Sequence, residues 1–221
     1  MSQGSKRIRI LVGIATAGRR SILSETLKEL SRQIRQPDRV AICPATSADV
    51  DQSILSALPF STAIVHGDRG SSRQRNAILR TAHGFDAVVF FDDDFFPCKN
   101  YLANVESLLV RELTVVVATG KVIEDGVHGP GLTPDYARRK LASAVAPPHN
   151  ISFEKCYSAY GCNMIIRVAP VMEHRIAFDE MLPLYGWQED TDFSRQLAPF
   201  GQIVRSDALM GVHLGVKDGR T

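Results

Sequence analysis

The stretch Val88-Val89-Phe90-Phe91-Asp92-Asp93-Asp94-Phe95-Phe96-Pro97 constrains this chain more than any other. Its large apolar residues read as a buried strand, and the run breaks at once into three carboxylates closed by a proline. In open α/β sheets ligands bind beyond the carboxyl ends of the strands, so the acidic cluster stands where such a sheet binds its ligand. Adjacent negative charges repel unless a cation joins them. Oxygen ligands favour a hard divalent ion such as Mg²⁺ or Mn²⁺, which commonly shares its coordination sphere with substrate phosphates. Taken alone, the segment also reads as a solvated acidic turn.

The rest of the chain supplies elements for such a sheet. Residues 8–14 form an apolar, β-branched run, and Ala15-Thr16-Ala17-Gly18-Arg19-Arg20 follows as a βα loop. Leu23, Leu27, Leu30 and Ile34 then mark one face of a helix that ends near Pro37. Further strands are expected at 40–43, 62–65 and 115–119, with helices near 50–58, 72–81 and 100–113. This alternation implies an α/β protein with a mostly parallel central sheet and helices on both faces.

Between 121 and about 150 the motifs His128-Gly129-Pro130-Gly131, Thr133-Pro134 and Pro147-Pro148 interrupt any regular pattern, and a long functional loop is expected. A strand at 157–168, a short helix at 169–174, a helix from Asp190 or Thr191 to about Phe200 and a short strand at 203–205 complete the pattern.

Composition narrows the class. At 221 residues the chain fits one sizeable domain without disulfide support. A net charge of +2, with no basic run interleaved with aromatics, excludes an obligate nucleic-acid binder. No apolar stretch approaches the roughly 20 residues that cross a bilayer, so no transmembrane segment is expected and only peripheral attachment stays open. Cys43, Cys98, Cys156 and Cys162 form no CxxC pair, and the N-terminus shows no secretory signal. Reduced thiols and a cytoplasmic location are expected, with any membrane association at the inner face. A metal site of Cys156, Cys162, His149 and His174 is conceivable but matches no zinc spacing.

In order along the chain stand Thr16 and Arg19, Gly70-Ser71-Ser72-Arg73-Gln74-Arg75-Asn76, Asp92-Asp93-Asp94, Phe178-Asp179-Glu180, Glu189-Asp190-Thr191-Asp192-Phe193 and His213. This order resembles the nucleotide-sugar-dependent glycosyltransferases of the GT-A fold, specifically the inverting family 2 that builds bacterial polysaccharides. The resemblance implies a single GT-A domain, with a nucleotide-binding half at about 1–120 and an acceptor-binding half at about 121–221. It implies metal-dependent inverting transfer from a nucleotide-diphosphate sugar, UDP-linked by default with GDP and dTDP open, to a carbohydrate or glycolipid acceptor. Asp94 and His213 inherit the metal and Asp92 the ribose, with Asp93 beside it. Thr16, Arg19, Asp49, Arg73 and Arg75 are assigned to the nucleotide, and Asp190, with Glu189 beside it, to the catalytic base. Many relatives append C-terminal helices or membrane segments, expected absent here because the chain stops soon after His213.

The chemistry agrees with these assignments. A diphosphate must be neutralised to bind and to leave, which a cation held by Asp94 does as a Lewis acid. Guanidinium forks and backbone N–H groups at a helix start meet phosphate oxygens, although a solvated basic helix face is the alternative for each arginine. Inversion needs a base for the acceptor hydroxyl, and a carboxylate suffices. An N-cap is the other role open to Asp190, and a helix N-terminus would lower its pKa. Tyr185 and Trp187 would stack on an acceptor sugar or pack in the core. The small residues of Tyr160-Gly161-Cys162-Asn163 would let a sugar approach the backbone. A haloacid-dehalogenase-type phosphatase would carry Thr or Val where this chain has Phe96, and a nucleotidyltransferase would open on a glycine-rich signature that is missing. A sugar-nucleotide-binding module without independent turnover remains the alternative function.

Overall fold

The structure, a computed structural model, describes residues 7–144, 151–182 and 188–218. Its strands are β1 (Ile10–Thr16), β2 (Arg39–Pro44), β3 (Thr62–Ile64), β4 (Ala87–Asp92), β5 (Phe95–Pro97), β6 (Val115–Asp125), β7 (Glu154–Lys155), β8 (Asn163–Arg167) and β9 (Gln202–His213). The helices are α1 (Arg20–Leu30), α2 (Gln52–Leu55), α3 (Ser71–Leu79), α4 (Tyr101–Arg111), α5 (Pro134–Ser143), α6 (Val168–His174) and α7 (Glu189–Leu197). The strands form one sheet in the order β3-β2-β1-β4-β8-β6-β9-β5, with β7 on β9.

Alternation of side chains along β1 and β4 divides the interior. Ile10, Val12, Ile14, Val89 and Phe91 face α1 and α4, whereas Leu11, Val88 and Phe90 face α3 and α7. Phe91 also stacks on Phe95 at 5.2 Å and meets Tyr101 edge-on at 5.1 Å, so both sides of the Asp92–Asp94 turn are anchored in one aromatic cluster.

From β3 to β4 the neighbours run parallel, as the alternating pattern predicts. The second half is mixed: β8 runs antiparallel to both β4 and β6, while β9 runs parallel to β6. The two reversals cancel. The carboxyl ends of β1, β2, β4, β6 and β9 therefore meet at one edge, together with the turn that enters β8.

Several local expectations are corrected. Helix α1 stops at Leu30, and Ile34 is 72% exposed. The buried Gln33 amide donates to the Cys98 carbonyl at 2.7 Å and accepts from Leu102 N–H at 3.0 Å, drawing the chain off the helix. The stretch from 121 onward is not one long loop. Strand β6 continues to Asp125, and α5 starts where Thr133 accepts from Tyr136 N–H and Pro134 fills the first helical turn, a position that suits proline. Arg138 ties α5 to α1 through Glu29, at 2.7 Å, and Glu25. Pro147, Pro148 and His149 lie outside the described residues.

The final strand is long rather than short, because bulges let β9 follow β6 through Ser206 and Gly211, which interrupt the apolar run. The strand expected from 157 begins at Asn163, and α7 begins at Glu189. No helix among the described residues is long and apolar enough to cross a membrane.

Candidate active site

The edge where the strands end gathers most of the residues singled out in the sequence. Asp92 ends β4, and Asp93 and Asp94 form the turn to β5. Asp93 points inward: Thr16 donates to it at 2.6 Å and Arg19 at 2.8 Å, and it is 3% exposed. Burial pushes its carboxyl up to about 7, against the pull of Arg19 and with the repulsion of Asp94. Arg19 also reaches Asp94 at 3.5 Å and the carbonyls of Val216 and Asp218. Thr16 and Arg19, expected at the nucleotide, thus hold the acidic turn in place.

Asp94 is wholly buried, and its Oδ2 accepts from Val216 N–H at 2.8 Å. Its Oδ1 has no hydrogen-bond partner, nor has His213 Nε2, which lies 3.3 Å away. Asp92 Oδ2 stands 3.8 Å from the same nitrogen, and ligand atoms of the three residues lie within 4.8 Å of one another. Buried polar atoms are almost always paired, and leaving one unpaired costs about 1–3 kcal/mol. Two such atoms aimed at one point beside a second carboxylate are a donor set able to hold a divalent cation. Burial opposes charge on Asp94, but His213 and Arg19 keep its pKa below the usual carboxylate value. Burial likewise disfavours charged His213, yet Asp125 and Asp94 raise it to about 10. Among the described residues this is the group able to hold a metal. In the alternative thiol–histidine set, Cys162 is buried and His174 stacks on Phe200, while His149 is not described.

Arg75, expected to face phosphate, lies between carboxylates instead. One guanidinium nitrogen is 3.0 Å from Asp92 and another 2.6 Å from Glu189, with the Gly161 carbonyl accepting at 3.2 Å. Its neighbour Arg73 is half-exposed, with Glu180 at 3.9 Å. Asn76 binds Phe178 through both backbone polar groups and Glu180 through its side chain, which docks residues 178–180 on α3. Asp49 is occupied: its oxygens accept from Gly18 and Thr46 N–H at 2.9 and 2.8 Å. A cavity of about 210 Å³ opens beyond β2 and β3, lined by Pro44, Thr46, Ser47, Ile64 and His66 among others.

At the start of α7 the cap position belongs to Gln188, so Asp190 is not the N-cap. Asp190 Oδ2 accepts from Gly161 N–H and Oδ1 from Thr191 N–H, both at 2.7 Å. Burial, with the charge of Asp190 beside it, raises the Glu189 pKa in spite of Arg75. Tyr185 and Trp187 lie outside the described residues.

Two residues went unnoticed as a pair in the sequence. Asp125 lies 3.0 Å from His213 Nδ1, and Tyr160 donates to Asp125 at 2.9 Å. Asp125 and His213 are 88 positions apart, and only strand register places them side by side. Gln74 is a third: its amide bonds the carbonyls of Thr16 and Cys43 and clamps the ends of β1 and β2.

A mixed α/β sheet with this strand-end acidic cluster defines the GT-A glycosyltransferase architecture. Residues 11–174 match the model of Glycosyl transferase family 2, and the chain belongs to that family. No match is found among curated proteins. Among solved structures the chain is similar to S. aureus TarS, at 17% identity and a TM-score of 0.66 over 93% of this chain and 37% of that one. It is similar to GalNAc-T7, solved with UDP, GalNAc and Mn²⁺, at 12% identity and a TM-score of 0.71 over 96% of this chain and 44% of that one. It is also similar to the mannosyltransferase PcManGT of Pyrobaculum calidifontis, solved with GDP-Man and Mn²⁺, at 17% identity and a TM-score of 0.65 over 98% and 59%. The chain thus spans 37% to 59% of the length of these proteins.

Proposed function

We propose that this chain is a metal-dependent inverting glycosyltransferase that moves a sugar from a nucleotide-diphosphate sugar to an acceptor hydroxyl, in bacterial polysaccharide or glycoconjugate synthesis. The observation that carries this reading is the facing pair of buried atoms, Asp94 Oδ1 and His213 Nε2, 3.3 Å apart and neither hydrogen-bonded, beside Asp92. Family 2 membership and the UDP- and GDP-Man-bound neighbours agree with it. The donor is taken to be UDP-linked, residues of about 1–120 serve it, and residues of about 121–221 serve the acceptor.

Asp92, Asp94 and His213 would hold Mn²⁺ or Mg²⁺. When bound, the ion neutralises the diphosphate and acts as a Lewis acid on the departing group. The cavity beyond β2 and β3 receives the nucleoside, and Asp92, at the end of β4, addresses the ribose. The acceptor oxygen attacks the anomeric carbon from the side opposite the diphosphate, and Asp190 takes the hydroxyl proton as the carbon–diphosphate bond breaks. Both its oxygens keep a lone pair after accepting a backbone N–H, so orientation and basicity coexist. Glu189, held by Arg75, keeps the acidic pair at the crevice.

Purified protein incubated with Mn²⁺, acceptors and a panel of UDP-, GDP- and dTDP-sugars should release nucleoside diphosphate. Asp94→Ala should abolish Mn²⁺-dependent donor binding. Asp190→Asn should spare donor binding and lower transfer about 10²–10⁴-fold, the range of a general base. Unchanged transfer by Asp190→Asn would refute the choice of base. Donor-induced thermal stabilisation without turnover, with acceptors present, would favour the binding module.

A further inference from the structure

Asp125 is a carboxylate with a defined job that the reaction outlined above does not use. It ends β6 in register with His213 at the end of β9, so neighbouring parallel strands deliver both side chains to one place. Its Oδ1 lies 3.0 Å from His213 Nδ1 and accepts from Val127 N–H at 3.0 Å. Its Oδ2 accepts from the Tyr160 hydroxyl at 2.9 Å, and the Tyr160 ring stands edge-on to the imidazole with centroids 6.0 Å apart. The imidazole is thus gripped on its Nδ1 side, while its Nε2 makes no hydrogen bond and faces the Asp94 and Asp92 carboxylates at 3.3 and 3.8 Å.

From this geometry we infer that Asp125, backed by Tyr160, is a positioning residue that presents His213 Nε2 to a divalent cation. The inference rests on the metal reading given above. An imidazole ligates through a nitrogen that carries no proton, and a carboxylate on the opposite nitrogen keeps the proton there and fixes the ring plane. Asp125 supplies that carboxylate. Tyr160 holds its second oxygen, which would otherwise be free to swing the carboxylate toward water.

The turn carrying Tyr160 has a second duty. Gly161 next to it donates its N–H to Asp190 and accepts from Arg75, so one turn touches the outer support of the metal group and the acidic pair alike. A Cβ on Gly161 would lie 3.3 Å from both Arg75 Nη2 and Asp190 Oδ2, so a side chain there would push one of these groups by a few tenths of an ångström.

The test is direct Mn²⁺ titration of the purified protein without donor, with free ion read by electron paramagnetic resonance and folding read by thermal melting. Loss of such an outer carboxylate typically weakens metal affinity about 10–100-fold. Asp125→Ala should weaken Mn²⁺ binding by that factor, and Asp125→Asn by less, since its amide oxygen still accepts the Nδ1 proton. Tyr160→Phe removes one hydroxyl from a residue 39% exposed, leaves the fold intact, and should weaken Mn²⁺ about threefold, a fraction of the Asp125 effect. A purely structural Asp125 would lower the melting temperature and leave the affinity of the folded protein unchanged. Wild-type affinity in both Asp125→Asn and Tyr160→Phe overturns the inference. Failure of the wild-type protein to bind Mn²⁺ overturns the metal reading itself.

Discussion

Arg75 shows how one side chain can organise the crevice. Its planar fork meets Asp92 and Glu189 at once, from a position whose side chain is 6% exposed. A lysine offers one point charge and cannot span both acids, so Arg75→Lys should be less stable than the parent and Arg75→Met less stable still. Removing one partner of a buried pair leaves charge uncompensated, and the expected loss for Arg75→Met is about 3 kcal/mol, read as a shift of the urea midpoint. An unchanged midpoint would mean the carboxylates are held by other groups. In the sequence Arg75 was visible only as a cation in a basic segment. That it faces acids follows from α3 lying over the end of β4 and the start of α7, which no local spacing reports.

At the level of elements, the pairing of β5 with β9 sets the shape of the acidic turn. Pro97 lies opposite Gly211, and a Cβ on Gly211 would fall 2.1 Å from Phe95 Cζ. Phe95 cannot move aside, because Phe91 and Tyr101 pack on it. Gly211→Ala should therefore overpack the cluster, cost about 1–3 kcal/mol and lower the melting temperature by roughly 5 °C. Because Phe95 follows Asp94 directly, the same variant should bind Mn²⁺ more weakly, and a lowered melting temperature with unaltered Mn²⁺ affinity would separate the turn from the strand. Strands β1, β2 and β4 were readable beforehand because each is a largely apolar run buried on both faces, whereas β3 is only half-buried. The tail of β6 and most of β9 were not, since exposed Lys121 and the buried but non-apolar Ser206 and Gly211 break the run and the bulges between the two strands have no one-dimensional signature.

Stability of the whole molecule depends on a polar knot at the other end of the sheet. Asp38 accepts from Ile10 N–H at 2.8 Å and Arg35 at 2.7 Å, while Arg35 also reaches the Ile8 carbonyl and Glu106 on α4. Burial pushes the Asp38 pKa up, but the Ile10 N–H and Arg35 prevail and hold it below the usual value. A carboxylate lowered on folding adds stability that is present above its unfolded pKa of about 4 and lost as pH falls through the folded value. Asp38→Asn should cost about 1 kcal/mol at pH 7, with the gap to the parent closing as pH falls below about 4. A gap that persists at pH 3 would show that geometry, not charge, is responsible.

The amino-acid order by itself determined the α/β class, the parallel first half and the placement of Asp92, Asp93 and Asp94 at a strand end. These are properties of short windows, written as runs, periods and punctuating glycines or prolines. Only the tertiary structure decided that Arg75 joins residues on both sides of the crevice and that Asp125 stands behind His213. It also decided that Asp94 Oδ1 and His213 Nε2 face each other at 3.3 Å without a hydrogen bond. Such contacts link positions 88 and 114 residues apart, and they exist because two strand reversals cancel and return β6 and β9 to the edge where β4 ends.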